Sequence, residues 1–310
     1  MTAPVSVAIA TGTIIGGYRV VRVLGRGATA VVFEATSEEG AVALKVGDPA
    51  DSARFLRGAQ AQAGLDHPAI AAVHGYGTDP THGPWLAMEL VDGPLPDPLT
   101  VLCAVAAALD HAHAVGVVHR DVKPSNVLAD TDRVLLADFG LAREEVTTAA
   151  GTRTGAVLGS LPYLAPELVR GGRATPASDR YALAAMAYEL LTGDVPFPRR
   201  TDAAILFAHV DAPVPPASER RPELPPAVDA VLERGLAKEP SERYADATSF
   251  VAALDAALAG TDVPPPARRA DDDATTRDAA PLGDGPWPGA APARRSRATG
   301  WLSSAQLRRA

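Results

Sequence analysis

The residues with the greatest chemical capacity in this chain stand close together. His119-Arg120-Asp121-Val122-Lys123-Pro124-Ser125-Asn126 is followed a few residues later by Asp138-Phe139-Gly140. Asp121 can accept the proton of a hydroxyl group. Lys123 can neutralise charge on a phosphoryl group in transit. Asn126 and Asp138 offer oxygen atoms of the kind a hard cation such as Mg²⁺ prefers. So many charged and polar groups are costly to hold near a core unless they do chemistry.

Two further features bear on the same chemistry. Leu24-Gly25-Arg26-Gly27-Ala28-Thr29-Ala30-Val31-Val32 is a glycine-rich loop between two strand-like runs. Glycines there let backbone N–H groups approach a phosphate. Lys45, in the apolar run Ala41-Val42-Ala43-Leu44-Lys45, could reach the same phosphate. Each signal is weak alone: the first reads equally as a hairpin turn, the second as an exposed strand lysine. Their order changes the weight. Glycine loop, strand lysine, His-Arg-Asp-x-Lys-x-x-Asn, Asp-Phe-Gly and Ala165-Pro166-Glu167 follow one another at spacings that chance does not supply.

The elements that must position these groups can be read from hydrophobic periodicity. Residues 18–46 alternate as three strands, and shorter strands fall near Ala71–Tyr76 and Trp85–Leu90. Asp51–Ala63 reads as a helix with Asp51 or Ser52 as N-cap and Gly64 at its end. From Pro98 the pattern becomes helical: Thr100–Val115, Pro176–Thr192, Asp202–His209, Pro226–Leu236 and Ala245–Leu258. This predicts an α+β chain in two lobes, a small antiparallel sheet with one helix and a larger, mainly α-helical part. The predicted divisions are an N-terminal extension over 1–15, a small lobe over 16–90, a large lobe over 91–260 and a Pro/Ala/Arg-rich tail over 261–310. The tail's composition predicts disorder, with a short amphipathic helix over Trp301–Arg309.

Composition narrows the function classes. A formal charge of −8 over 310 residues argues against a general nucleic-acid binder. Cys103, the single cysteine, excludes an intrachain disulfide and a cysteine-rich zinc site; its place in an apolar run predicts a buried small hydrophobe. No apolar run approaches a membrane span in length, and the N-terminus lacks a basic region before its apolar stretch, so a cytoplasmic protein is expected. Lysine occurs only at 45, 123 and 238 in an arginine-rich chain, which suggests that arginine would not serve there.

On these motifs the chain resembles the bacterial eukaryotic-like serine/threonine protein kinases, from about Gly17 to Gly260. The resemblance implies a two-lobed kinase fold with ATP and Mg²⁺ (or Mn²⁺) in the cleft, and proteins with Ser/Thr acceptors as substrates. Asp121 matches the catalytic base, with Lys123 and Asn126 beside it, and Asn126 and Asp138 match the metal ligands. Lys45 matches the lysine on the α- and β-phosphates. Leu24, Gly25, Arg26, Gly27, Ala30, Val32, Ala43, Leu128 and the hinge residues Met88, Glu89 and Val91 fall at nucleotide-contacting positions. Ser160 stands where threonine is usual, and is expected to hydrogen-bond near Asp121 and Lys123. Glu167 and Arg243 match the buried ion pair of the large lobe, and Asp179 the aspartate that braces the catalytic loop. Thr152 and Thr154 resemble an autophosphorylated pair, with Arg120 as the partner of the phosphate. The resemblance implies a homodimer through the small lobes as a possible assembly. In the tail, Thr275-Thr276-Arg277-Asp278 reads either as a solvated linker or as a site that, once autophosphorylated, a phosphothreonine-binding module would read, Asp278 lying three residues past Thr275. Many members continue into a membrane span and an extracellular sensor; with neither here, a cytosolic input is expected.

The pattern breaks at one important point. The family signature requires a glutamate on the small-lobe helix paired with the strand lysine. Gly58 occupies that position, and no acidic residue lies between Asp51 and Asp66. Gln62, one turn later at a position usually apolar in relatives, is a candidate neutral acceptor for Lys45. Ala184 replaces a usual glycine, and Pro94–Leu99 is too short for the usual helix at the cleft mouth. Two alternatives follow: a nucleotide-binding pseudokinase, favoured by Gly58, Ala30 and Gln62, and a small-molecule phosphotransferase, which the Ala165-Pro166-Glu167 segment disfavours. The intact catalytic loop and metal ligands favour an active enzyme.

Overall fold

The computed structural model of the chain describes residues 9–27, 29–140 and 160–260. The N-terminal part is a six-stranded sheet. β1 (Ile14–Ile15), β2 (Tyr18–Arg26), β3 (Ala30–Ser37) and β4 (Gly40–Gly47) pair antiparallel in succession. The helix α1 (Ser52–Ala63) follows, then β5 (Val73–Asp79) and β6 (Gly83–Glu89), giving the spatial order β1-β2-β3-β4-β6-β5. Side chains alternate across a strand, and β4 uses both faces. Val42, Leu44 and Val46 join Phe33 and Val20 in one apolar cluster. Ala43 faces the other way, into a cluster with Leu24, Met88 and Phe55 of α1. Lys45, two residues beyond Ala43, shares that second face.

The C-terminal part is built around helices. α2 (Pro98–Ala114) starts on Asp97, whose carboxylate accepts from Leu99 N and Thr100 N at 3.1 and 3.0 Å. The hairpin β7 (Val127–Ala129) and β8 (Val134–Leu136) is flanked by residues 119–126 on one side and Asp138-Phe139-Gly140 on the other. After it come α3 (Pro166–Val169), α4 (Pro176–Thr192), α5 (Asp202–Asp211), α6 (Ala217–Arg220), α7 (Ala227–Gly235) and α8 (Ala247–Leu258). α4 is buried on nearly every side from Ala177 to Tyr188, as expected of a helix in the middle of a core. A capping box of Thr175 and Ser178 begins it, and Gly193 ends it in the left-handed region at φ 83°. Ala184, where relatives have glycine, is accommodated by Gly235 of α7: a Cβ on Gly235 would lie 2.8 Å from that of Ala184.

The two parts meet at β8. Ala71 N donates to Leu136 O at 3.0 Å, and Leu136 N to Ala69 O at 2.8 Å. Among the described residues no helix is long and apolar enough to cross a membrane. Several sequence expectations are corrected. Cys103 is exposed, not buried, because α2 turns Val101, Leu102, Val105 and Ala106 inward and leaves position 103 on the outer side. Helix α2 begins two residues earlier than expected, at Pro98, since proline at the first position needs no N–H partner. Residues 90–97 form no helix at the cleft mouth, as the short segment predicted. The tail, Thr275 and the helix expected at 301–309 lie outside the described residues.

Candidate active site

The loop 119–126 is held from below by one carboxylate. Asp179, 1% exposed at the start of α4, accepts from His119 N at 2.7 Å and from Arg120 N at 2.8 Å, and contacts His113 Nε2 of α2 at 2.8 Å. Arg120 adopts φ 72°, a region that residues other than glycine adopt only when their surroundings impose it, and its N–H is one of the two donors Asp179 holds. His119 is fully buried. Its Nε2 lies 2.9 Å from Ala137 O and its Nδ1 3.2 Å from Asp121 N. The Nε2–H tautomer serves both contacts, and the ring lies against Phe139 with centroids 4.5 Å apart.

The braced loop presents Asp121 with three neighbours. Ser160 Oγ donates to Asp121 Oδ1 at 2.5 Å. Lys123 Nζ lies 2.8 Å from Asp121 Oδ2 and 2.9 Å from Ser160 Oγ. Asn126 Nδ2 donates to Asp121 Oδ2 at 3.0 Å and to the Asp121 carbonyl at 2.7 Å. The Asn126 nitrogen is thereby engaged, and its oxygen is the atom suited to a cation. Asp138 sits opposite, with Oδ2 2.7 Å from Lys45 Nζ. Burial opposes ionisation of Asp138, but the charge and hydrogen bond of Lys45, with smaller contributions from His119 and Lys123, hold its carboxyl below the usual range. Asp138 Oδ1 is buried with no partner among the described residues. An ionised carboxylate with one oxygen unsatisfied suits Mg²⁺, which binds through one or two protein oxygens and the phosphates of its substrate.

The glycine loop folds as the hairpin between β2 and β3. Gly25 and Arg26 lie in β2, Gly27 N donates to Ala30 O at 2.9 Å, and Ala30 opens β3; Ala28 lies outside the described residues. Behind it, Leu24, Ala30, Ala43, Met88 and Val91 form one apolar cluster with Val32 and Leu128 packed against it. The β2–β3 hairpin, β4, β6 with the stretch after it, and β7 thus supply one apolar surface beside Lys45. Glu89, at the end of β6, pairs with Arg133 of the β7–β8 turn at 2.6 Å. That lobe-spanning contact was missed, because nothing local to Arg133 marks it.

The lower ion pair is as expected. Arg243 Nη1 and Nη2 reach Glu167 Oε1 and Oε2 at 2.8 and 2.7 Å, and Arg243 also donates to the carbonyls of Ala237, Ala177 and Lys238. Burial raises the Glu167 carboxyl, but Arg243 outweighs it and keeps the group below its ordinary value. One expectation fails: Gln62 does not bind Lys45, which is bound to Asp138. Gln62 Oε1 instead accepts from Asp138 N and Phe139 N. Thr152 and Thr154 lie outside the described residues, so their relation to Arg120 is not described.

A two-lobed arrangement with a strand lysine, an Asp-Phe-Gly turn and a braced His-Arg-Asp loop facing one cleft is that of a protein kinase domain. The comparisons agree: the protein kinase domain profile matches residues 18–253, and the chain belongs to that family. It is 39% identical over 279 residues to serine/threonine-protein kinase PknJ of Mycobacterium tuberculosis, covering 81% of this chain and 47% of PknJ. It is 42% identical over 235 residues to PknL of the same organism, covering 69% of this chain and 58% of PknL. The chain thus spans about half the length of the curated relatives it matches. The solved kinase domain of M. tuberculosis PknI superposes with a TM-score of 0.66 at 35% identity, covering 82% of this chain and 100% of that domain.

Proposed function

We propose that this chain transfers the γ-phosphoryl group of ATP to serine or threonine hydroxyls of proteins. The observation that carries the reading is the cluster at Asp121. Ser160 already donates its hydroxyl proton to Asp121 Oδ1 at 2.5 Å, so that atom is placed to receive a hydroxyl of the same kind from a substrate. Lys123, bridging Asp121 and Ser160, would lie beside the oxygens of the group in transfer. The transition state of phosphoryl transfer is loose, so positioning and charge neutralisation supply most of the acceleration.

Asp138 and Asn126 would hold Mg²⁺, which when bound neutralises charge on the β- and γ-phosphates. Lys45 would lie on the α- and β-phosphates, with the Gly25–Gly27 loop above them and Leu24, Val32, Ala43, Met88, Val91 and Leu128 around the adenine. Thr152 and Thr154 are the acceptor sites favoured for autophosphorylation, with Arg120 as the phosphate's partner. The test is incubation with labelled ATP, Mg²⁺ and a protein acceptor, beside an Asp121→Asn variant. Label on serine or threonine with the wild type alone supports the reading. No label with either, while ATP still raises the melting temperature, would replace it with a nucleotide-binding pseudokinase.

A further inference from the structure

The small-lobe helix α1 has no carboxylate to offer Lys45, yet it is firmly joined to the Asp138-Phe139-Gly140 turn. The joint is Gln62, whose side chain is 1% exposed. Its Nε2 donates to Ala71 O at 2.9 Å, and its Oε1 accepts from Asp138 N at 3.1 Å and from Phe139 N at 3.3 Å. A carbonyl demands a donor and two N–H groups demand an acceptor, so a carboxamide is the side chain that suits all three. A leucine or methionine would leave these buried groups unsatisfied, and a glutamate would set a carboxylate against the Ala71 carbonyl.

Two backbone features tie this contact to the metal-binding carboxylate. Asp138 adopts φ 70°, which a residue with a Cβ adopts only under constraint, and the bond to Gln62 falls on that residue's own N–H. Gly58 lies one helical turn before Gln62, on the same face of α1. Its Cα is 3.4 Å from where a Cβ on Gly140 would stand. At this point α1 packs close to the turn, and Gln62, one helical turn on, reaches the backbone of Asp138. Gly58 and Gln62 thus face the same turn.

We infer that Gln62 is the positioning residue of this site, holding the Asp138 backbone in its left-handed conformation and so aiming the carboxylate, in place of the lysine–glutamate pair that links helix and cleft in other kinases. The inference rests on the proposed function only for its effect on Mg²⁺ and nucleotide; the contact itself can be tested independently. In Gln62→Met, amide hydrogen exchange at Asp138 and Phe139 should accelerate while the cores around α4 keep their protection. The affinity for ADP measured with Mg²⁺ should fall about 10–100-fold, as for the loss of a group that orients a metal ligand, with a much smaller change when Mg²⁺ is omitted. In Gln62→Glu, which keeps the acceptor, protection at the two amides should persist. Unchanged exchange in Gln62→Met, or equal loss in both variants, would overturn the inference. Should Gln62→Met not fold, Gln62→Glu decides: lost protection at Asp138 and Phe139 overturns it and retained protection supports it. A wild type that protects these amides but transfers no phosphate would fault the proposed function and leave the positioning role standing.

Discussion

The Glu167–Arg243 pair permits a quantitative prediction. Arg243 is 4% exposed, and its guanidinium spends two donors on Glu167 at 2.7 and 2.8 Å. The Glu167→Gln variant keeps the shape and removes the charge, leaving a buried cation with neutral partners. Breaking one side of such a pair costs about 3–5 kcal/mol. For a domain of this size that corresponds to a melting temperature lower by about 6–20 °C. Two controls sharpen the expectation. Because burial of Glu167 is outweighed by Arg243 and its folded-state pKa is depressed, its contribution is present above the unfolded value and is lost as pH falls through the folded one. The gap between wild type and Glu167→Gln should therefore narrow in acid. The double variant Glu167→Met/Arg243→Met should be less damaged than the sum of its parts, since a desolvated pair and an apolar pair are often equivalent. The assay is thermal and denaturant unfolding from pH 7 to 3. A change under about 1 kcal/mol at pH 7, the size expected of an exposed pair, or strict additivity in the double variant, would refute the reasoning.

Other expectations follow from the site and its supports. Lys45→Met should lower kcat/KM for ATP by about 100–1,000-fold, the usual loss when one preorganised electrostatic group is removed, and should raise the Asp138 carboxyl by removing its charged partner; steady-state kinetics check the first. Asp179→Asn replaces an acceptor of two backbone N–H groups and a histidine contact. It should cost about 2–5 kcal/mol of stability and slow turnover more than it weakens nucleotide binding, read by unfolding and by ADP titration. His209 is buried, with burial foremost and Lys238 second in lowering its pKa to about 4. The folded state therefore favours the neutral ring, and its contribution is full above 6.5 and is lost as pH falls from there towards 4. The loss amounts to about 3 kcal/mol, and His209→Gln should show a shallower decline across that window in unfolding experiments.

Local patterns explain much of what was legible. The chemical groups lie in short contiguous motifs, so Asp121, Lys123, Asn126 and Asp138 can be picked out from order and spacing; in the structure Lys123 and Asn126 contact Asp121, and Asp138 pairs with Lys45. The helix α4 ran from a proline at its first turn to a glycine stop, and its limits were read without error. The hairpin β7–β8 was not foreseen, because two three-residue strands carry no periodicity. Cys103 was misplaced because an apolar run such as Val101–Leu109 does not show which residue of a helix faces outward. Gln62 was singled out as odd, but its partners are set by tertiary contacts with Ala71 and the Asp138-Phe139 backbone. No one-dimensional pattern encodes an amide that reads two distant stretches of main chain.

The central claim is that Asp121 receives the acceptor hydroxyl in phosphoryl transfer, and it is tested most directly by turnover and nucleotide affinity measured on the same Asp121→Asn preparation. The variant retains the Lys123, Asn126 and Ser160 side chains around position 121 and lacks the carboxylate that, on this proposal, would take the proton. The account predicts phosphate transfer to a protein acceptor reduced by at least about 100-fold, the lower range of positioned acid–base groups, with the affinity for ADP and Mg²⁺ unchanged. Transfer within a few-fold of wild type, at equal nucleotide affinity, would contradict it.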